Sequence, residues 1–342
     1  MSPLSFVINV LSRSSGNRIV KTKQSKYHQI ARRLSIAFLV MCSSCTWASG
    51  SHYELAVQAF NEGRLDASFI YLQNALESQP RNLPARILMG KLFLQKGDVR
   101  DAIEQFELAL RYRADINLII SDYANALNVA KRYQDVLYVA DGYYLTSNSQ
   151  FELLLNKAVA YKNLDLVERA RASYRDAMSL RPSDIRAING LALLEMEMGD
   201  LEMANTLIRR SLSKQPEHHH SLHLKGRIQF ALGDYQGAIL SYLASLTKED
   251  DAPVVRRSLI AAYIKSNQLD KAEEYINQVL AGTPDDPHMM LLSSWLLSMK
   301  KRDNDSMVML EQLIDLTSVF SDDEFAHDPS LEFISGISSY LR

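Results

Sequence analysis

Small and large apolar residues recur along this chain every 34 residues, through eight consecutive frames from Ser49 to near Phe320, without an insertion. Position 8 of successive frames reads Ala56, Gly90, Ala124, Ala158, Ala192, Gly226, Ile260 and Ser294. Position 20 reads Ser68, Ala102, Val136, Ala170, Ala204, Ala238, Ala272 and Ser306. In the frame that starts at Leu83, Met89 and Gly90 fill positions 7 and 8, and Phe93, Gly97, Ala102, Phe106 and Ala109 fill 11, 15, 20, 24 and 27. Pro80, Pro182, Pro216 and Pro284 stand at position 32. A proline there ends a helix, because it has no N–H to continue the backbone ladder. The pattern predicts two helices, A and B, in every frame.

Helix axes pack roughly 8 to 10 Å apart, and a large side chain at a tight crossing costs about 1 to 3 kcal/mol in strain. The small residues at positions 8 and 20 therefore mark where helix A meets helix B. Each hairpin leaves an apolar face that only the next can cover, so eight frames imply one cooperative all-α solenoid. Tyr161, Tyr174, Tyr242 and Tyr263 occupy positions 11 or 24 and are expected in its core. The third frame is irregular: Val136, Tyr143 and Asn148 replace the expected Ala, Ala and Pro, and Tyr123, Tyr133, Tyr138 and Tyr144 crowd the same hairpin. A repacked, wider crossing is expected there, with a functional hinge as the alternative.

This combination of small, aromatic and proline positions resembles the tetratricopeptide repeat. By that resemblance a partner is held by helix A positions 2, 5, 9, 12 and 13. They give Arg186, Asn189, Leu193 and Met196 in the fifth frame, and His220, His223, Arg227 and Phe230 in the sixth. The seventh supplies Arg257, Ile264 and Lys265, and the eighth His288, Trp295 and Met299. The implied surface is a basic and apolar groove, with Leu193, Ile264 and Met299 partly buried between helices. His223 and Arg227 are i and i+4, so they share a helix face and could grip one carboxylate or sugar acid. The chaperone-tail clamp of this fold needs Lys and Asn where the first frames have Tyr53, Val57 and Leu88, so chaperone tails are not expected partners.

Charge divides the chain unevenly. Of 38 basic and 40 acidic residues, seven basic and no acidic ones lie in the first fifty. The leader is thus +7 and the remainder −9, which argues against general nucleic-acid binding. A basic start followed by the apolar run Leu34 to Met41 and small residues reads as a signal peptide over 1–48, too short for a comfortable membrane span. Its unusual length leaves a start downstream of Met1 open. Two cleavages fit. Thr46, Trp47 and Ala48 suit ordinary signal peptidase, whereas Ser43, Ser44 and Cys45 resemble a lipobox that would make Cys45 the lipid-bearing residue. Cys42 then stands where Leu or Val is usual. Both cysteines lie in the leader, so the eight frames over 49–320 hold no disulfide. After the drifting eighth frame comes the acidic segment Asp322, Asp323 and Glu324. Asp328, Pro329 and Gly336 then resume the pattern, so 321–342 is expected to end in a half-repeat helix that caps the stack.

No phosphate loop, nucleophile elbow or paired-cysteine motif occurs, which argues against an enzyme and against a cofactor. His218, His219, His220 and His223 invite a metal reading, because His219 and His223 are one helical turn apart. They follow Pro216, where a solvated turn is expected, and no third ligand is specified, so no metal is assigned.

The order of local features resembles the N-terminal part of the tetratricopeptide lipoproteins of the bacterial PEP-CTERM and exosortase system. It runs from Tyr71-Leu72-Gln73-Asn74-Ala75-Leu76 with Pro80, through Gly97-Asp98 and the degenerate Arg132-Tyr133-Gln134-Asp135-Val136-Leu137. Gly190-Leu191-Ala192 with Gly199-Asp200-Leu201, and Leu224-Lys225-Gly226 with Gly233-Asp234, continue it. The resemblance implies a non-enzymatic envelope scaffold, exported and periplasmic, serving exopolysaccharide production or protein sorting. Its expected partner is an envelope protein or peptide, with membrane contact only through the lipid anchor. A general periplasmic adaptor for pilus, secretion or cell-wall machinery, and a direct polysaccharide binder, remain the alternatives.

Overall fold

The computed structural model describes residues 51–247 and 252–317. The leader with Cys45 and the acidic C-terminal segment lie outside the described residues. Among the described residues the chain forms sixteen α-helices in eight successive hairpins. These are α1 His52–Asn61, α2 Leu65–Ser78, α3 Leu83–Lys96, α4 Val99–Arg111, α5 Ile120–Val129, α6 Tyr133–Tyr138, α7 Ser147–Asn163 and α8 Val167–Leu180. They continue as α9 Ile185–Glu197, α10 Leu201–Lys214, α11 His219–Ala231, α12 Tyr235–Leu246, α13 Pro253–Lys265, α14 Leu269–Gly282, α15 Pro287–Met299 and α16 Asp303–Thr317. Packing divides the chain into two compact bodies, one up to Ala114 and one from Asp115.

The crossing positions behave as their size demands. All sixteen residues at positions 8 and 20 are buried. A Cβ on Gly90 would come within 2.6 Å of the Phe106 ring, and one on Gly226 within 2.4 Å of Tyr242. The glycine is what lets the position 24 aromatic of helix B lie against helix A. Where serine replaces alanine, the backbones are near enough for the hydroxyl to cross. Ser68 Oγ donates to the Ala56 carbonyl at 2.9 Å, and Ser306 Oγ to the Ser294 carbonyl at 3.0 Å. A buried hydroxyl thus finds a partner and the small-residue rule survives.

Position 15, between helix A and helix B, is left-handed in all eight frames. Gly63, Gly97, Gly199 and Gly233 occupy it with φ from +73° to +85°. Lys131, Asp165, Asn267 and Lys301 occupy it with φ from +58° to +61°. The turn geometry is therefore kept where glycine is absent, at a cost of about 1 kcal/mol for a side chain in that region. Side-chain caps start most A helices: Ser51 forms a capping box with Glu54, and Asn82, Thr146, Asp184 and Asp286 each accept a first-turn N–H.

The third hairpin departs from this plan. Helix α6 stops after six residues, and the chain crosses Val139 to Thr146 before α7, which begins early and runs for 17 residues. Asn117 secures the detour: its Nδ2 donates to the Tyr144 carbonyl at 3.1 Å and its Oδ1 accepts from the Thr146 N–H at 2.9 Å. Val136 is fully buried, whereas Tyr138, Tyr143 and Tyr144 are exposed. The irregularity is a shortened helix B with its crossing still closed.

Candidate binding groove

Helices α9, α11, α13 and α15 carry the side chains expected to meet a partner. Asn189 and Leu193 of α9 join His220, His223 and Arg227 of α11 around an open pocket of about 300 Å³, whose remaining lining is Gly190 and Leu224. Gly190 lets Tyr174 of α8 lie close against α9, since a Cβ there would lie 2.4 Å from that ring. Burial pushes the Tyr174 hydroxyl up to about 12, with Glu197 adding to the shift, so it stays neutral. Beneath α11, burial likewise raises Tyr242, whose ring centre lies 5.6 Å from that of His223.

A hydrogen-bond chain fixes the pocket wall. Asn189 Nδ2 donates to Ser221 Oγ at 2.8 Å, and Ser221 Oγ also meets Ser211 Oγ at 3.0 Å and His218 Nδ1 at 2.9 Å. The Asn189 Oδ1 acceptor is buried and has no hydrogen-bond partner. His223 Nε2 lies 3.3 Å from Ser258 Oγ on α13. His218 is the N-cap of α11: its Nδ1 accepts from the Ser221 N–H at 3.2 Å. Burial, then the neighbouring His219 and His220, lowers the His218 pKa. The sequence assigned no role to this cap, because histidine is not a usual capping residue. Among the described residues no three His, Cys, Asp or Glu side chains are placed to hold a metal ion.

Other expected groove residues stand elsewhere. Arg186 is held by both Glu152 oxygens at 2.8 and 2.9 Å and by Asp184 at 2.8 Å, so its charge is answered within the molecule. Trp295 is only 6% exposed and belongs to the apolar core with Ile260, Leu292 and Ile276, correcting its placement on an open wall. The Lys265 ammonium lies 5.5 Å from the Trp295 ring centre. Ile264 is fully buried, Met299 is exposed, and Met196 and Phe230 are half-buried against the core clusters. Arg257 and His288 are half-buried.

One buried charge escaped the sequence reading. Glu195 occupies position 11, an aromatic slot, yet is 2% exposed. Arg171 of α8 grips it through two bonds of 2.7 Å, from Nε to Oε1 and from Nη2 to Oε2. A charged residue in an aromatic slot was the available signal.

Tetratricopeptide-repeat family models match residues 151–184, 189–253 and 229–296. The chain carries tetratricopeptide repeats. The matches run from within α7 into α15 and include every residue that lines the 300 Å³ pocket. Among curated relatives, the human Tetratricopeptide repeat protein 7A is 26% identical over 121 residues, 35% of this chain and 14% of that protein. A TPR repeat-containing protein of Methanocaldococcus jannaschii is 23% identical over 214 residues, 61% of this chain and 34% of its own length. The match therefore spans about a third or less of these relatives. Among solved structures, PilW, a widely conserved type IV pilus biogenesis factor, has a TM-score of 0.51 at 20% identity, covering 61% of this chain and 94% of PilW. That likeness is one of tetratricopeptide fold.

Proposed function

We propose that this tetratricopeptide chain is a non-enzymatic scaffold that holds an acidic segment of a partner protein between α9 and α11. The observation that carries the reading is the meeting of Asn189, His220, His223 and Arg227 around one pocket whose lining includes no carboxylate. Beyond its basic leader the chain is −9, so a cationic pocket contrasts with its surroundings. A guanidinium and imidazoles favour a carboxylate, and Leu193 and Leu224 supply apolar contact for the chain around it.

The setting we propose is the bacterial envelope. The basic leader and the run Leu34 to Met41 support export, with Cys45 carrying a lipid if the chain is cut before it. The resemblance to the PEP-CTERM and exosortase lipoproteins supports a partner in exopolysaccharide production or protein sorting.

Affinity capture from envelope extract tests this reading, comparing the exported chain with a His223→Ala, Arg227→Ala double variant of unchanged helical content. We expect one defined protein whose recovery falls about tenfold or more in the variant, as removal of charge-assisted contacts requires. Undiminished recovery removes the pocket from the reading. Capture of an acidic polysaccharide in place of a protein transfers it to glycan binding.

A further inference from the structure

Two junctions between hairpins stack a pair of arginines on an aromatic ring, and only one of them is neutralised. At the junction of α8 and α9, Arg181 and Arg186 lie 4.5 and 5.0 Å from the Phe151 ring centre. Glu152 and Asp184 answer them: Arg186 binds both, and Arg181 lies 3.6 Å from Glu152 and 3.8 Å from Asp184. At the junction of α2 and α3, Arg81 and Arg86 lie 5.6 and 5.1 Å from the Tyr112 ring centre. Arg86 is fixed by neutral acceptors, the Pro80 carbonyl at 2.9 Å from Nε and Gln105 Oε1 at 3.1 Å from Nη1. Among the described residues, neither arginine makes an ion pair with a carboxylate.

The two junctions are built from different register positions: Arg181 and Arg186 stand at 31 and 2 with Phe151 at position 1 of the frame that holds Arg181, whereas Arg81 and Arg86 stand at 33 and 4 with Tyr112 at position 30 of the frame that holds Arg86. Asn82 keeps the helix cap, accepting from the Ala85 N–H at 3.1 Å, without bringing a charge. The cap next to Arg81 is therefore neutral. Beside Arg81, with Gln79, Pro80 and Asn82, is an open pocket of about 440 Å³.

We propose that Arg81 and Arg86, stacked on Tyr112, form a binding site for the carboxylate of a glutamate or aspartate side chain in an acidic peptide. The other junction is a chemical precedent: there a glutamate side chain, Glu152, binds Arg186 through both oxygens and lies 3.6 Å from Arg181, the two guanidiniums that lie against the Phe151 ring. Nε and Nη2 of Arg86 both donate to the Pro80 carbonyl, so Arg81 offers the open fork for a two-pronged carboxylate contact, while Arg86, held in place, adds its charge at reduced ordering cost. The site lies in the body that ends at Ala114 and shares no residue with the α9–α11 pocket.

An N-acetylated, amidated tetraglutamate peptide tests the assignment on the full chain at low salt, with tetraglutamine as control. Phenylglyoxal modification of arginines, read by mass spectrometry, locates the contact. Arg81 and Arg86 are expected to be protected about fivefold by tetraglutamate and not by tetraglutamine, and Arg81→Ala with Arg86→Gln should weaken peptide affinity about tenfold. Arg227→Ala should leave the protection intact. No protection at Arg81 and Arg86, or equal protection by both peptides, overturns the site. Loss of the protection in Arg227→Ala assigns the effect to the other pocket and overturns it too, as does protection by a uronate oligosaccharide but not by tetraglutamate. Arg81 has no hydrogen bond to lose, so Arg81→Glu alone, expected to abolish protection of Arg86, keeps the test decisive if the double variant misfolds.

Discussion

Hairpins α5–α6 and α11–α12 follow one 34-residue frame within the same compact body, and they close by different means. In α11–α12 a glycine lies beneath an aromatic ring, Gly226 under Tyr242, and helix B runs its full length. In α5–α6 alanine meets valine, Ala124 and Val136, both fully buried, and helix B ends after six residues. The first hairpin gains order from an inflexible steric fit. The second relies on local hydrogen bonding at Asn117 to direct the chain that replaces its missing helical turns. The frame specifies the crossing strictly and the far end of helix B loosely.

The sharpest way to break this comparison is to overfill the glycine crossing. Gly226→Leu should destabilise the α11–α12 hairpin by about 3 kcal/mol, because a Cβ at this position already comes within 2.4 Å of the buried Tyr242 ring. Urea denaturation followed by circular dichroism would show it, and an unchanged midpoint would mean that the ring is free to move aside. Asn117→Ala should cost less, about 1 to 2 kcal/mol, since two partly solvated bonds to the α6–α7 connection are lost. Faster amide exchange confined to 139–146 would place that loss in the detour.

Acid titration gives the smallest effect and separates the hairpins again. The α11 cap needs His218 Nδ1 unprotonated, and its pKa is lowered in the folded state. The unfolded chain therefore takes up protons more readily, so the contribution is complete above the ordinary histidine range and declines as pH falls through it to the lowered folded value. A His218→Asn variant, whose side chain caps at any such pH, should flatten this part of the stability profile. Thermal unfolding between pH 7.5 and 5 checks the slope; an identical slope in the variant would remove His218 from the account.

The crossings were legible because residue size at positions 8 and 20 reports helix separation directly, even through Ser68 and Ser306. The turn at position 15 was legible through its four glycines. Lys131 and Lys301 hold the same left-handed geometry with no propensity of their own to announce it, whereas Asp165 and Asn267 belong to the residue types that tolerate it best after glycine. Groove membership was harder to read. Asn189, His220, His223 and Arg227 do share a pocket, whereas Trp295 enters the core because neighbouring apolar side chains enclose its ring. Arg186 meets Glu152 across a full frame, a pairing that helical periodicity does not reveal.

The Arg171–Glu195 pair bears on how such a chain can evolve. Identical frame lengths make repeats exchangeable, so one hairpin can in principle be duplicated, lost or transplanted without disturbing the register. The hairpin α9–α10 is an exception, because its buried glutamate depends on an arginine supplied by the preceding repeat. Moved behind another hairpin, it would carry an unanswered charge into the core at a cost of about 3 to 5 kcal/mol. That cost ties the order of these two repeats to their stability, a constraint that the spacing alone does not provide.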